Sequence, residues 1–486
     1  MTAYLAILKI TCKAAIRSHT FRVLLILLLF IIIALPLSIV GDGTARSFIQ
    51  ISLDYNLSAI AFVLSLSTIW LSCFIMTSDI ESFQLHMLVA KPVSRITIWL
   101  AKWSGVLLIN TILLTIASAT VYFMVIWHYN NSDYEKNEKK QIENEVLVGR
   151  RVFYPKRNNL NSKVNKIFNK RLQTLAKQNK QLSNYQKVLL RDNIKEYVKG
   201  AEGEVRNGLL KTWTYENLGS LKSKHNLPLY IRFRVYPDNF DIKKQPQTYG
   251  IWSVKVEKPE TNNKKSGTGN KKKTKKIFFG IKTEAPESIP CASFQEITFF
   301  SNNIIDDKGE IILGFINADQ MGGNLHFQAA DGPVLLAKLT GFANNYSRAV
   351  FLLFMQLALL AAISCAFGGL FSMPVSVTLV VSYLIMGFCS TYLINFYNTL
   401  DPVVVAAQSQ TLYDIVGNNL SHFLMLFIVS INDFNASAQL ATGELIEFSH
   451  ITTILVFEVL LKGLTVMMIG IYFYSKRELG VIIKKS

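Results

Sequence analysis

The sequence predicts an α-helical polytopic membrane protein with six transmembrane helices and an inserted extracytoplasmic α+β domain. Three observations predict it. Half of the 486 residues are hydrophobic although the net charge is +18. Apolar runs of roughly 18 residues or more, enough to cross a hydrocarbon layer about 30 Å thick, lie at both ends of the chain. The middle has no such run, and residues 128–346 hold 37 basic and 22 acidic side chains, +15 of the net charge.

The opening stretch "AYLAILKITCKAAIRS" repeats apolar residues at helical spacing and suits a helix lying in the cytoplasmic interface. The run "TFRVLLILLLFIIIALPLSIVG" (20–41) exceeds the apolar part of a signal peptide and is followed by no small-x-small cleavage site, so it reads as a retained first span. Five more spans fit 57–77, 103–127, 349–371, 374–396 and 451–474. Trp70, Trp99, Trp103, Trp127 and Tyr397 fall near their ends, where amphipathic aromatic rings prefer to sit.

Orientation follows from Lys and Arg in the short loops. Lys9, Lys13, Arg17 and Arg22 surround the start of the first span, Lys91, Arg95 and Lys102 lie in the 78–102 loop, and Lys476, Arg477, Lys484 and Lys485 end the chain. The 398–450 connection has neither Lys nor Arg. The positive-inside rule then places both termini and the 78–102 loop in the cytoplasm of a plasma-membrane protein, with 398–450 and 128–346 outside. Within the outer connection, "NLSHFLMLFIVSI" (419–431) is too short to cross and reads as a re-entrant or interfacial helix.

The outer segment divides by period. From 134 to 215 apolar residues recur every three to four positions, predicting exposed helices; from 228 to 340 the period is two, in "PLYIRFRVYP", "YGIWSVKVE", "KKIFFGIKTE" and "GEIILGFIN", predicting a jelly-roll-like β-sandwich. The excess of lysine reads as a solvated surface rather than a nucleic-acid interface, because membrane spans flank it on both sides. "SGTGNKKKTKK" (266–276) lacks the residue order of a phosphate loop. Asp306, Asp307, Glu310 and Asp319 match no calcium loop, and "DDKGE" reads as a hairpin turn. Of five cysteines only Cys291 lies in this segment, which therefore forms no internal disulfide, and no Cys or His cluster has metal-ligand spacing. No catalytic, cofactor or metal residue is predicted.

The loop "SDIESFQLHMLVAKPVSR" (78–95) has a different character. Ser78 and Glu81 form a capping-box pattern. Ile80, Phe83 and Met87 then make one apolar face, and Pro92 stops the helix, so a short amphipathic helix over 79–90 follows. Its face either packs under the bundle or docks on a partner.

With "GDGTARS" (41–47), "DIESFQLHMLVAKPVSRITIWLAKW" (79–103), "FGGLFSMPVSVTLVVSYLIMG" (367–387) and "YFYSKRELG" (472–480), the membrane part resembles the permease subunits of type-2 ATP-binding-cassette (ABC) exporters. "AKPVSR" is the most specific of these elements, while relatives often have Gly-Thr at Phe83 and Gln84. The resemblance implies that the short helix inserts into a groove on a separate cytoplasmic ATPase. Ser78, Asp79, Glu81, Phe83, Met87, Lys91, Pro92 and Arg95 would form this coupling element. It further implies two permease chains, identical or related, paired with two ATPase chains that bind ATP and magnesium. The outer domain would receive substrate or engage an envelope partner. The rival expectation is a membrane scaffold or mechanotransmitter that moves no solute.

Glu458 and Lys462 stand four residues apart inside the last predicted span. A lone charge there costs about 2.5–3.5 kcal/mol on insertion scales, so mutual pairing or a polar cavity is expected. The pair reads either as a substrate or gating contact or as a buried bridge that orients the helix.

Overall fold

The computed structural model describes residues 2–38, 44–81, 93–131, 134–156, 160–178, 182–222, 227–238, 247–259, 274–281, 285–301, 304–306, 308–319, 322–328, 331–399 and 428–476. They fall into two compact units, one built from Met1–Gly149 with Thr340–Asp401 and Gln410–Ser486, the other from Arg150–Leu339.

The first unit is helical: α1 (Thr2–Arg17), α2 (His19–Ser38), α3 (Ala45–Glu81), α4 (Arg95–Asn131), α5 (Lys136–Glu145), then after the second unit α8 (Phe342–Leu370), α9 (Met373–Thr399) and α10 (Phe448–Lys476). Among the described residues five helices are long and apolar enough to span a membrane: α3, α4, α8, Met373–Ser390 within α9, and α10. A sixth is made if α1 and α2, which meet at a 68° bend, count as one. This is the helix content of a membrane-embedded protein. Of the apolar windows of α3 and α8, 67% and 72% is buried, against 17% for α10, so α3 and α8 form the centre and α10 the periphery. Leu53, Leu57, Ile60 and Leu64 of α3 share one core with Leu352, Leu360 and Ile363 of α8.

Several hydroxyl and amide side chains inside these helices bond locally or across helices, while among the described residues the buried hydroxyls of Ser52 and Ser364 find no partner. Ser65 and Thr68 donate to the carbonyls four residues back, both at 2.6 Å. The amide of Asn110 in α4 donates to Thr68 Oγ1 at 2.8 Å, and that of Gln356 in α8 to Ser65 Oγ at 3.2 Å. Such interhelical bonds contribute about 0.6 kcal/mol each and fix register among otherwise interchangeable apolar faces. A Cβ on Gly470 would lie 2.4 Å from Ala366 Cβ, so only glycine lets α10 approach α8 this closely.

Helix α5 belongs to this bundle rather than to the insert. Ile142 and the adjoining Val146 are buried in the bundle core, and Arg46 Nη1 meets Glu145 Oε2 at 2.5 Å. The second compact unit begins at Arg150.

The second unit contains the helices α6 (Leu160–Lys177) and α7 (Asn184–Gly203) and twelve strands: β1 (Val148–Phe153), β2 (Glu204–Val205), β3 (Leu210–Tyr215), β4 (Pro228–Phe233), β5 (Tyr236–Pro237), β6 (Gln247–Pro259), β7 (Thr274–Gly280), β8 (Glu287–Pro290), β9 (Gln295–Phe300), β10 (Ile311–Asn317), β11 (Leu325–His326) and β12 (Val334–Gly341). Two larger sheets run β1-β12-β4-β9 and β3-β10-β6-β7, with β8 also on β6; β2-β11-β5 makes a third. The strands pair antiparallel in registers such as Leu335↔Ile231 and Phe315↔Trp252. Leu229, Ile231 and Leu335 of one large sheet share a core with Trp252, Leu313 and Phe315 of the other. Trp252 sits 4.8 Å from Phe233 and 4.9 Å from Phe315 between ring centroids.

The period-two stretches become strands. The stretch 134–215, expected to be helical, contains α5, α6 and α7 but also β1, β2 and β3. Strand β1 hides from a sequence reading because its centre is Arg150, an apparently exposed residue whose charge is neutralised by Glu296 far along the chain. Helices α6 and α7 pack on each other through Val164, Phe168, Ile194 and Val198. A capping box of Ser183 and Gln186 starts α7. The hairpin read at "DDKGE" is supported by Gly309 N donating to Asp306 O at 2.9 Å; Asp307 lies outside the described residues. Most of 266–276, and 419–427 of the outer apolar segment, also lie outside them.

Candidate functional site

The 78–95 loop is described at its two ends, and there the structure departs from the sequence reading. Helix α3 continues through Glu81, the last residue described on that side of the loop, so Ser78, Asp79 and Glu81 lie within a long helix instead of capping a new one. No glycine or proline interrupts "TSDIE", and Thr77 Oγ1 donates back to the Cys73 carbonyl at 2.8 Å, so nothing stops the helix earlier. Phe83, Met87, Lys91 and Pro92, and with them the predicted amphipathic helix, lie outside the described residues.

Both ends are fastened to other helices. Asp79 Oδ2 sits 2.6 Å from the ammonium of Lys102 in the second turn of α4, and Lys102 also donates to the Ile75 carbonyl at 3.0 Å. Lys102 is 2% exposed and Asp79 21%. At the other end, Arg95 opens α4 and its Nη1 donates to the Ser475 carbonyl at 2.8 Å, in the last turn of α10. A cation on the carbonyl end of a helix satisfies a group the helix cannot and complements its dipole. Around these contacts Ile98, Trp99, Met76, Cys365 and Tyr474 form a small apolar cluster. Ser78 is half-buried and Glu81 exposed.

The second feature is the charged pair in α10. Lys462 Nζ lies 2.9 and 3.0 Å from the two carboxylate oxygens of Glu458 and 2.8 Å from the Ile428 carbonyl. All three ammonium protons thus have acceptors. The pair sits in a π-helical stretch, Ile454–Gly463. Such widened turns are rare and occur often at functional sites. Here the widened turn carries the charge that holds the chain around Ile428, which joins Val429 and Tyr383 through a bond from Val429 N to Tyr383 Oη at 3.1 Å.

Sequence reading counted Lys102 only as a loop charge and gave neither Ser475 nor Ile428 a role. Their partners are main-chain carbonyls or lie on another helix, which spacing along one helix does not reveal. The i, i+4 spacing of Glu458 and Lys462 did carry their signal.

In the β unit the polar clusters join strands. Arg234 clamps Asp331 at 3.0 and 2.7 Å and stacks 4.5 Å from the Phe294 ring. His326 bonds Asp238 and holds its carboxyl below the usual range. Burial pushes the Cys291 thiol up to about 11, which keeps it protonated and unreactive. Among the described residues no three His, Cys, Asp or Glu side chains gather where they could hold a metal.

Comparison with family models, curated proteins and solved structures finds no match. The chemistry of the two fastened regions is contact and charge pairing between helices.

Proposed function

We propose that the chain is the membrane-spanning permease subunit of an ABC exporter, coupling ATP hydrolysis on a separate cytoplasmic ATPase dimer to export of a substrate. The observation that carries this reading is the fastening of the 79–95 loop, through Asp79 to Lys102 and through Arg95 to the Ser475 carbonyl. A loop that receives a push from an ATPase needs stiff attachments to the helices it moves, and these two reach α4 and α10. The resemblance at "AKPVSR" supports the same assignment. The spans lie in the plasma membrane with both termini cytoplasmic, the β unit outside as a sandwich facing an envelope partner, and a second permease chain beside the first. ATP and magnesium belong to the ATPase.

The test is co-purification. The chain isolated from its native membrane should bring a nucleotide-hydrolysing subunit with it, and Glu81→Lys with Phe83→Asp should remove that subunit while the permease stays folded. Unchanged ATPase association and turnover in the double variant sinks the coupling assignment. A co-purifying ATPase that moves no solute or lipid across a sealed bilayer points to the second reading, a mechanotransmitter, which the tethering of α10 to the Ile428 segment also suits.

A further inference from the structure

We propose that α1 and the cavity beneath it form a binding site for the phosphate headgroup of an anionic phospholipid. The inference rests on the membrane placement of the helices and not on the ABC reading.

Helix α1 has two unlike faces. Ile7, Thr11 and Ala15, at i, i+4 and i+8, are buried. Tyr4 Oη bonds Ser104 Oγ at 2.6 Å, and a Cβ on Gly105 would meet the Thr11 methyl at 2.8 Å, so this face lies tight along α4. On the other side Lys9, Lys13 and Arg17 are exposed. Beside them Leu5, Ile10 and Ile16 are 56%, 61% and 59% exposed. Basic residues flanked by bare aliphatic ones mark a helix that lies among headgroups with its apolar side chains dipped into the acyl boundary. The 68° bend into α2 separates this helix from the direction of the next one.

The cavity makes the surface a site. It measures about 60 Å³ and is lined among others by Ile10, Thr11 and Ala14 of α1, Ser78 and Asp79 of α3, and Lys102. Arg17, at i+3 from Ala14, and Lys13, at i+3 from Ile10, stand on the exposed flank of α1 next to the residues that wall the cavity, though neither lines it. Asp79 is neutralised by Lys102, and among the described residues neither Lys13 nor Arg17 makes an ion pair. The rim therefore sets the sign of the site, and the sign is positive. An ammonium has three protons; Asp79 and the Ile75 carbonyl take two of those on Lys102, leaving one donor for a guest in the cavity it lines. A cavity of about 60 Å³, well below the roughly 300–1,000 Å³ of pockets that take drug-sized ligands, suits a group of a few heavy atoms such as a phosphate, and not a nucleotide. Exposed Ile10 and Ile16 lie alongside for the acyl chains.

Binding here would brace α1 against Asp79 and Lys102, so lipid composition would act at the foot of the 79–95 loop. The experiment uses the purified full chain in neutral detergent, titrated with phosphatidylglycerol, phosphatidylcholine or inorganic phosphate while its melting temperature is read. Phosphatidylglycerol should raise the melting temperature saturably; the other two should not. Lys13→Gln with Arg17→Gln should weaken the apparent affinity about thirtyfold, the effect of two interfacial basic residues. Ala14→Phe, which keeps both charges and fills the cavity, should abolish the saturable response. Equal responses to phosphatidylglycerol and phosphatidylcholine, or an unaltered response in either variant, overturn the site. A response to inorganic phosphate that matches phosphatidylglycerol overturns the lipid assignment in favour of a free anion. If Ala14→Phe lowers the lipid-free melting temperature, the exposed double variant alone decides.

Discussion

Arg150 and Arg234 of the β unit are held differently from Lys102 and Lys462 of the helical unit. In the β unit Arg150, 1% exposed, is held by both oxygens of Glu296 and lies 5.4 Å from the Tyr230 ring centroid; Arg234 is held by both oxygens of Asp331. Each guanidinium is met by a carboxylate fork within one folded body. In the helical unit the cations divide their bonds: Lys102 between Asp79 and the Ile75 carbonyl, Lys462 between Glu458 and the Ile428 carbonyl. Arg95 and Arg348 reach the main chain of other segments, at Ser475 and Ile446. The first pattern stiffens a domain. The second ties separate segments of the chain together, as a part that transmits motion requires.

The comparison can be broken by variants in order of expected cost. Arg150→Met should be worst, destabilising the β unit by about 3–5 kcal/mol because Glu296 is left buried and unpaired; thermal unfolding followed by far-ultraviolet circular dichroism measures it. Adding Glu296→Leu should restore most of that loss. A double variant as unstable as the single would mean that the pair does more than neutralise itself. Lys102→Met should cost less, about 2 kcal/mol, since Asp79 keeps partial access to water. The same melt checks the order, and a larger loss than for Arg150→Met would reverse the comparison.

Arg95→Ala should cost about 1 kcal/mol or less in stability; under the proposed function the complex would keep its ATPase and lose the dependence of transport on hydrolysis. A stability loss of several kcal/mol would make Arg95 a structural clamp. The smallest effect is expected at Asp238. Its carboxyl is held below the usual range by His326, so the stabilisation is present above the unfolded value of about 3.9 and disappears as pH falls through the lower, folded value. Asp238→Asn should remove the small stabilisation that the charged carboxylate supplies at neutral pH and flatten the acid limb of a stability–pH profile below about pH 4.

How legible this was in the sequence follows the same division. The long apolar helices and the period-two strands announce themselves because each depends on local pattern, and Glu458 with Lys462 because the partners lie one turn apart. Strand β1 did not, since Arg150 needs a distant Glu296 before it can be buried. The start of the second compact unit at Arg150 is not marked in the sequence, because α5, polar by composition, contributes Ile142 to the bundle core. The capping-box reading of Ser78 and Glu81 failed for a related reason. A local start signal lost to the continuation of α3, which is pinned by Lys102 on another helix.

The central claim is that the loop and the last span move as one. If the chain works with an ATPase as proposed, spin labels at exposed Glu81 and Tyr472 in that complex would report the distance between them with and without ATP and vanadate. The account predicts one narrow distribution that nucleotide leaves in place and that Arg95→Ala broadens. A wild-type distance that shifts with nucleotide, unaffected by Arg95→Ala, would contradict it.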